Sequence, residues 1–289
     1  MPLSIIDPMA ELKIGVHVSI AGSLDKSVTR AVEIGCSTFQ IFTRNPRGWA
    51  FSDIPGDISS SFVEKLKAFK ISHVVDHMPY LPNLASPRDD VYNHSVATLK
   101  AELLRCDILG IPYLVTHLGS HLGAGEEKGR ARIVSALNSA FELKARCVIL
   151  LENTAGQKHS LGTTFEDILK IIEKTDHPES IGTCFDTCHA FAAGYDVKNK
   201  FSEILDEMDA AYGIERLKAI HLNDTKGIIG SHLDRHEHIG LGMIGEYGFK
   251  SILSDERIHA LPLIMETPVD ERRDDRGNIM KLRELWINL

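Results

Sequence analysis

The chain has 289 residues, of which 43% are hydrophobic, and a formal net charge of −8. This length suits either two ordinary domains or one large α/β barrel. The net negative charge argues against diffuse binding of a polyanion over the whole surface. No stretch approaches the roughly 18 uninterrupted apolar residues of a membrane span. Asp7 and Pro8 break the apolar run near the N-terminus, so a secretory signal is not expected. We expect an intracellular, cytoplasmic location.

The five cysteines do not predict a disulfide framework, because their number is odd and they are scattered at positions 36, 106, 147, 184 and 188. Cys184 and Cys188 are close enough in sequence to suggest a zinc site. No second cysteine pair is present to complete a tetrahedron, and a strand over residues 181–187 would place the two thiols on opposite sides of a turn. We therefore do not expect them to be ligands.

Short apolar segments alternate along the chain with amphipathic segments of helical period. In chain order, the predicted strands lie at residues 13–19, 38–42, 71–77, 111–116, 147–151, 181–186, 217–220 and 261–265. The helical segments between them are marked by Leu24 and Val28, by Phe62 and Leu66, by Leu99 and Leu103, by Ile133 and Leu137, by Ile168 and Ile172, and by Leu205 and Met208. Leu282, Leu285 and Trp286 predict a closing helix.

Eight apolar strands separated by helices indicate parallel βαβ units whose strands are buried on both faces. Eight such units in this length predict a (β/α)₈ TIM barrel. No linker or change of composition divides the sequence, so a single domain over residues 1–289 is expected, with an N-terminal extension at residues 1–12. The rival architecture, a doubly wound open sheet, would need a glycine-rich phosphate loop after its first strand. Gly15 and Gly22 do not make one.

Histidine and carboxylate side chains stand at the carboxyl ends of six predicted strands: His77, His117, Glu152, Asp186, His221 and Glu266. In a barrel these ends converge on one mouth, where the active sites of this fold lie. His189 and the Asp234-x-His236 pair fall on segments above the same mouth. Five imidazoles and four carboxylates are too many for one metal ion and about right for three if one carboxylate bridges. Such a cluster suits phosphoryl chemistry.

Eight stretches of the sequence together resemble the endonuclease IV family of abasic-site nucleases. They are 15–19 (GVHVS), 42–47 (FTRNPR), 117–121 (HLGSH), 152–157 (ENTAGQ), 186–191 (DTCHAF), 221–224 (HLND), 234–236 (DRH) and 266–267 (ET). The resemblance runs over nearly the whole chain.

The resemblance implies three zinc ions at the barrel mouth. One would be held by His77, His117 and a bridging Glu152. A second would take Glu152, Asp186, His221 and Glu266, and the third His189, Asp234 and His236. Glu152 and Glu266 are expected to be catalytic.

The resemblance also implies a monomeric enzyme of base excision repair, located at the nucleoid in a prokaryote. Its substrate would be double-stranded DNA with an abasic site, cut 5′ to the lesion to leave a 3′-hydroxyl, with 3′-end trimming as a further activity. Arg47, Tyr80 and Leu81 would contact the DNA. The chain departs from the family pattern at Gly48, where some members carry glutamine, and at Met78-Pro79, which follow His77 in place of polar residues.

Two other functions remain open from the residues alone. A sugar isomerase or epimerase of the divalent-metal TIM-barrel type would hold one Mn²⁺ or Mg²⁺ through Glu152, Asp186, His221 and Glu266. It would leave the other five predicted ligands idle. A metal-storage or DNA-binding scaffold has no reason to collect its ligands in a barrel mouth.

Overall fold

The computed structural model describes residues 12–289. The predicted N-terminal extension therefore lies outside the described residues, apart from Leu12, which is buried. No helix of the described chain combines the length and apolarity that crossing a membrane requires.

The described chain contains ten strands: β1 Ile14–Val16, β2 Gln40–Ile41, β3 Val75–His77, β4 Tyr113–His117, β5 Val148–Glu152, β6 Ile181–Asp186, β7 Leu217–His221, β8 Asp224–Thr225, β9 His236–Glu237 and β10 Leu263–Met265. Eight of them form one sheet in the order β1-β10-β7-β6-β5-β4-β3-β2, with every neighbouring pair parallel. Strands β8 and β9 pair with each other as a separate antiparallel ladder.

Nine α-helices accompany these strands in the described part of the chain: α1 Leu24–Ile34, α2 Gly56–Ala68, α3 Asp89–Leu109, α4 Glu126–Phe141, α5 Phe165–Ile172, α6 Thr187–Ala193, α7 Phe201–Tyr212, α8 Gly245–Leu253 and α9 Asp275–Ile287. Short 3₁₀ turns precede β6, β7 and β10, at Pro178–Ser180, Ile214–Arg216 and Glu256–Ile258. The alternation of helix and parallel strand confirms the predicted TIM barrel.

The barrel closes between β1 and β2. His17 and Gln40 form a parallel bridge, and the Val18 N–H donates to the Gln40 carbonyl at 2.7 Å. The neighbouring backbones approach so closely that a Cβ at Gly15 would lie 1.9 Å from the Thr38 carbonyl oxygen. Only glycine fits at this point of the first strand.

The strands bury two apolar layers, as expected for a barrel with helices outside. The larger layer lies between sheet and helices and includes Ile14, Leu114, Ile149 and Phe185. The smaller one fills the barrel interior and consists of Val75, Val115, Leu150, Cys184, Ala219 and Ile264, against which Tyr113 and Val148 also pack. Strand residues therefore point alternately to the helices and to the barrel axis.

Four segments differ from the sequence-based predictions. Residues 71–74 are not part of β3, because Lys70 and His73 adopt positive φ angles of 57° and 58° and turn the chain there. Helix α6, helix α8 and the β8–β9 ladder lie where no regular element was predicted. The last of these adds order to the segment that carries Asp234 and His236.

Candidate metal centre

The six predicted strand-end ligands form one inward-facing layer at the mouth of the barrel. Five of them are the last residues of β3, β4, β5, β6 and β7, and Glu266 directly follows β10. Each stands two positions after a member of the interior apolar cluster, so that Val75 precedes His77 and Ile264 precedes Glu266 in the same way. Because residues i and i+2 of a strand point to the same face, the apolar layer fixes the direction of all six side chains.

Strand register brings these side chains level with one another. His117 is the register partner of Glu152 between β4 and β5, and Asp186 is that of His221 between β6 and β7. The polar layer is therefore set by the same pairings that build the barrel.

His189 reaches the layer from α6. Asp186 caps this helix, since its side chain accepts the His189 N–H at 2.7 Å. The cap starts the helix directly at the strand end, and the first turn returns His189 toward Asp186, with 3.9 Å between His189 Nδ1 and Asp186 Oδ1. The Asp-x-x-His spacing in the sequence thus corresponds to a strand end followed by one capped turn.

Asp234 and His236 reach the layer from the β8–β9 ladder, in which His236 pairs with Thr225. The Asp234 Oδ1 atom lies 3.4 Å from His189 Nε2 and 3.5 Å from His236 Nε2. All nine predicted ligands are therefore assembled at one place.

The potential ligand atoms fall into groups whose members all lie within 4.8 Å of one another. Two of these groups contain the residues of a set implied by the resemblance: His77 with His117 and Glu152, and His189 with Asp234 and His236. A third group, Glu152 with Asp186 and His221, contains three of the four residues of the remaining set. Glu266 joins His77 and His221 in a further group. Glu152 is shared, as a bridging carboxylate would be.

Glu152 lies at the centre of the cluster and is fully buried. Its Oε2 atom is 3.3 Å from His77 Nε2 and 3.5 Å from His117 Nε2. Its other oxygen, Oε1, is 2.8 Å from His221 Nδ1 and 3.5 Å from His189 Nδ1. One carboxylate therefore presents a separate oxygen to each side of the site.

Four of the five proposed histidine ligands are oriented as metal ligands are. His77, His189 and His236 each place Nδ1 at 2.7–3.0 Å from a backbone carbonyl oxygen, and His221 places Nε2 2.8 Å from the side-chain oxygen of Gln40. A carbonyl only accepts, so these ring nitrogens carry the proton and the opposite nitrogen of a neutral ring faces the cluster with its lone pair.

One further feature fits a bound cation. The Nε2 atom of His236 is buried and makes no hydrogen bond, although buried polar atoms are nearly always satisfied. The donor set of imidazole nitrogens and carboxylate oxygens suits zinc and similar transition ions. The residues present therefore fit a multi-metal centre.

Three residues that the sequence analysis did not single out hold the carboxylates in place. Asn223 donates to Asp186 Oδ2 at 2.8 Å and accepts the Glu266 N–H at 2.7 Å. Asn153 exchanges two hydrogen bonds with the backbone of Asp186. Gln40 donates to Glu266 Oε1 at 2.7 Å. The sequence did contain a signal for the two asparagines, because both lie close to predicted ligands. Asn153 directly follows Glu152, and Asn223 comes two residues after His221.

Burial and mutual charge strongly perturb the pKa values in the cluster. Burial opposes ionisation of Glu152 and Glu266, but the surrounding histidines outweigh it and hold both pKa values well below the usual range. Burial likewise opposes protonation of His189, yet Asp186 and Asp234 raise its pKa well above the ordinary value. Carboxylates and imidazoles therefore stabilise one another's charged forms in the metal-free protein.

Cys188 lies closer to the cluster than the sequence suggested. Its thiol forms another group of potential ligands with Asp186 and His236. All five cysteines are free and buried.

Two clefts open onto the cluster, on either side of Tyr80. One of about 370 Å³ is lined by His17, Phe42 and Glu266, and one of about 350 Å³ by Leu81 and Gln157. Both also contact His117, His189 and Asp234. A larger cavity of about 800 Å³ lies elsewhere, between α4 and residues 176–180, and contains none of the nine residues. The clefts at the mouth are therefore the route to the site.

The three predicted DNA contacts lie on loops beside these clefts. Tyr80 and Leu81 are 66% and 39% exposed, and Arg47 is exposed. The Tyr80 N–H donates to the Pro46 carbonyl at 3.1 Å, which joins the two loops. The three residues are close in space and free to meet a ligand.

A parallel barrel with this cluster at its mouth belongs to the class of divalent-metal TIM-barrel enzymes. Residues 28–288 match the family described as "Xylose isomerase-like TIM barrel". A protein of Methanoculleus marisnigri named "Probable endonuclease 4" is 56% identical over 276 residues, which cover 94% of this chain and 98% of the relative. The chain belongs to the endonuclease IV family and is a phosphodiester hydrolase, as its sequence predicted.

Solved structures agree with this membership. The crystal structure of endonuclease IV from Thermus thermophilus has a TM-score of 0.85 at 34% identity and covers 94% of this chain and 98% of its own. A D-tagatose 3-epimerase-like protein has a TM-score of 0.70 at 21% identity, over 95% of this chain and 97% of its own. At that identity the second likeness shows the fold alone.

Proposed function

We propose that this protein is a zinc-dependent endodeoxyribonuclease of base excision repair. It would hydrolyse the phosphodiester 5′ to an abasic site in duplex DNA, leave a 3′-hydroxyl and also trim 3′ ends. The observation that carries the proposal is the convergence of nine residues with nitrogen or oxygen donors on one barrel mouth, in ligand groups of which two share Glu152. The single domain over residues 1–289, the monomeric state and the nucleoid location stay predictions.

Zinc is proposed from the chemistry of the ligand groups. Magnesium prefers oxygen ligands and keeps several waters, whereas five of the nine donors here are imidazoles. Three bound zinc ions would supply Lewis-acid activation of the phosphodiester and neutralise its charge.

The chain's own residues would orient that chemistry. Glu152 presents one oxygen to each side of the site and would fix the spacing between neighbouring ions. Glu266 is partly exposed to the cleft and is held by Gln40 and Asn223. Because its pKa lies well below the usual range, its carboxylate is ionised at neutral pH and would orient the attacking water.

The exposed loops would recognise the lesion. Tyr80 and Leu81 would enter the base stack and Arg47 would contact the backbone beside it. A nucleotide without a base has already lost its pairing and stacking, so extruding its sugar toward the clefts costs less than for a normal nucleotide. This difference would give the enzyme its preference for abasic sites.

The isomerase alternative is not favoured. It would need only Glu152, Asp186, His221 and Glu266, yet His117, His189, Asp234 and His236 converge on the same space. His189 is buried and the His236 side chain is only 18% exposed, and buried polar groups are costly without a partner. The isomerase gives neither residue one.

Metal content tests the proposal against this alternative. The purified protein, exchanged into metal-free buffer, is analysed by elemental mass spectrometry and then assayed on abasic-site duplex and on a ketohexose. We expect about three zinc ions per chain, because nine donors with one shared carboxylate suit three ions. We also expect DNA cleavage and no epimerisation. One manganese per chain with ketose epimerisation would overturn it.

A further inference from the structure

The loop between β2 and α2 is fastened at both ends by one arginine. Arg105, on α3, donates through Nη2 to the Thr43 carbonyl at 2.5 Å and through Nη1 to the Ser52 carbonyl at 2.9 Å. Its Nε donates to the Thr43 hydroxyl at 2.8 Å. A guanidinium presents its donors in a rigid planar fork. It therefore fixes the distance between the two ends of the 43–52 loop, which carries Arg47 near its centre.

A buried ion pair supports this fastening. Arg44 Nε lies 2.5 Å from Glu102 Oε1, and both side chains are almost fully buried. Glu102 also accepts the Thr43 hydroxyl and lies 4.0 Å from Arg105 Nε. One carboxylate thus lies between two guanidinium groups. A buried charge arrangement is weak evidence for added stability, and its best supported use is to specify one conformation.

The same arrangement holds the inside of the loop. Arg44 Nη1 donates to the Trp49 carbonyl at 3.3 Å, and the Phe51 ring lies 4.3 Å from the Arg44 guanidinium. Pro46 then accepts the Tyr80 N–H. Contacts therefore run from α3 through the 43–52 loop to the neighbouring loop with Tyr80.

Neither Arg105 nor Arg44 is available to DNA, because their side chains are only 8% and 3% exposed. We infer that Arg105, with Glu102 and Arg44, is a positioning group that holds Arg47 and Tyr80 in the geometry for binding lesion DNA. This inference rests on the proposed function for its consequence. The hydrogen bonds that hold the loop can be tested without DNA, so the positioning role and the proposed function can fail separately.

The first experiment is hydrogen exchange on the DNA-free protein. Arg105→Met removes all three hydrogen bonds and leaves Glu102 paired with Arg44. Arg105→Lys keeps the charge but cannot span both carbonyls, and serves if the methionine variant does not fold. The Tyr80 amide reports on the loop, because its acceptor is Pro46. We expect it to exchange about tenfold faster in either variant, with the β5 amides unchanged.

Arg146→Met is the matched control. Arg146 is 82% exposed and precedes β5, at the end of the barrel opposite the mouth. The Arg146→Met substitution removes one positive charge, as Arg105→Met does, and should leave the exchange rate of the Tyr80 amide at its wild-type value. Unchanged Tyr80 exchange in both Arg105 variants would overturn the inference, whatever the protein does to DNA.

The second experiment measures the Kd for an abasic-site duplex, without turnover. Arg105→Met should weaken binding about tenfold, in line with the loss of one intercalating or stacking contact. In an Arg47→Ala, Tyr80→Ala background the same change should alter Kd by less than about twofold, since coupled residues are not additive. If Arg105→Met weakened binding by the same factor in that background as in the wild type, the result would contradict a positioning role.

Salt dependence separates positioning from direct contact. Loss of a phosphate contact lowers the salt slope of binding by about one. The comparison is made in the Arg47→Ala background, which already lacks the phosphate contact that Arg105 would position. There Arg105→Met should leave the slope unchanged, and a further reduction by about one would assign Arg105 itself to DNA contact. If the wild-type protein itself does not prefer abasic DNA, the proposed function fails while the exchange result still decides the fastening.

Discussion

Replacement of Glu152 by glutamine should disable the metal centre while keeping the shape of the side chain. In the structure the two carboxylate oxygens face different partners, with Oε2 toward His77 and His117 and Oε1 toward His221. Glutamine replaces one carboxylate oxygen by an amide NH₂ group, which cannot bind a cation, and removes the negative charge that a shared ligand needs. Both metal groups that include Glu152 lose affinity together.

The size of the effect follows from this sharing. Losing an outer partner of a metal ligand typically costs about 10- to 100-fold in affinity or activity, and losing the ligand itself costs no less. Because Glu152 belongs to two groups, the losses multiply to about 10²- to 10⁴-fold, or about 3–5 kcal/mol. We therefore expect kcat/KM on abasic-site duplex to fall by this factor or more.

The assay compares Glu152→Gln with wild type under single turnover, with bound zinc measured on the same samples. Glu246→Gln is the control, because Glu246 is half exposed and pairs with Lys281 on the outside of the barrel. The control should cleave normally and hold the wild-type amount of zinc. Near-normal cleavage by Glu152→Gln would refute the bridging role.

Three further outcomes are expected. Tyr80→Ala and Leu81→Ala should each weaken binding to intact abasic duplex by about ten- to a hundredfold, since wedge and stacking contacts are worth about 1–3 kcal/mol and Gly48 supplies no side chain to compensate. Phe69→Ala, at an exposed position beyond α2, is the control. Equal defects on a gapped substrate, in which the lesion is already unstacked, would contradict insertion. Acid should release zinc, because imidazoles must be neutral to bind metal, and activity should return with zinc; recovery with magnesium alone would contradict a nitrogen-rich site. In metal-free protein, burial lowers the pKa of His236, but Cys188, Asp186 and Glu266 outweigh it and raise the pKa to about 10. The pKa of histidine in the unfolded chain is about 6.5, so protonated His236 stabilises the folded state fully below about pH 6.5 and this stabilisation is lost as pH rises through about 10. The Tm measured in chelator should therefore fall over this pH range. A rising Tm would contradict the raised pKa of His236.

The barrel was predictable because its strands are buried on both faces and appear in the sequence as short, mostly apolar segments. The six strand-end ligands followed from the same pattern, as each comes two residues after an inward-facing apolar residue. Periodicity thus determines both the interior of the barrel and the direction of the ligands. Neither requires knowledge of the loops.

The segments that were missed are those in which local pattern is short or contradictory. Helix α6 has only seven residues, although Asp186 at its start and Gly194 at its end are both typical caps. Helix α8 contains Gly245 and Gly248, which lower its intrinsic propensity, and is stabilised by burial of its apolar face.

The β8–β9 ladder was not predictable because each strand has two residues and they pair across a long loop. Tertiary contacts hold the segment that follows β9 against β8. The buried carboxylate of Asp224 accepts backbone N–H groups from Gly240, Gly242 and Ile244. No periodicity within the segment signals such contacts.

The position of the cut is the most direct test of the proposed activity. A duplex with one central tetrahydrofuran abasic analogue, labelled on the lesion strand, is incubated with chelator-treated protein, with and without added zinc. We expect one zinc-dependent incision immediately 5′ to the lesion, leaving a 3′-hydroxyl that a DNA polymerase extends directly. The analogue cannot undergo β-elimination, so cleavage must be hydrolytic. No incision, incision without zinc, or a 3′ end that the polymerase cannot extend would contradict a zinc-dependent abasic-site endonuclease.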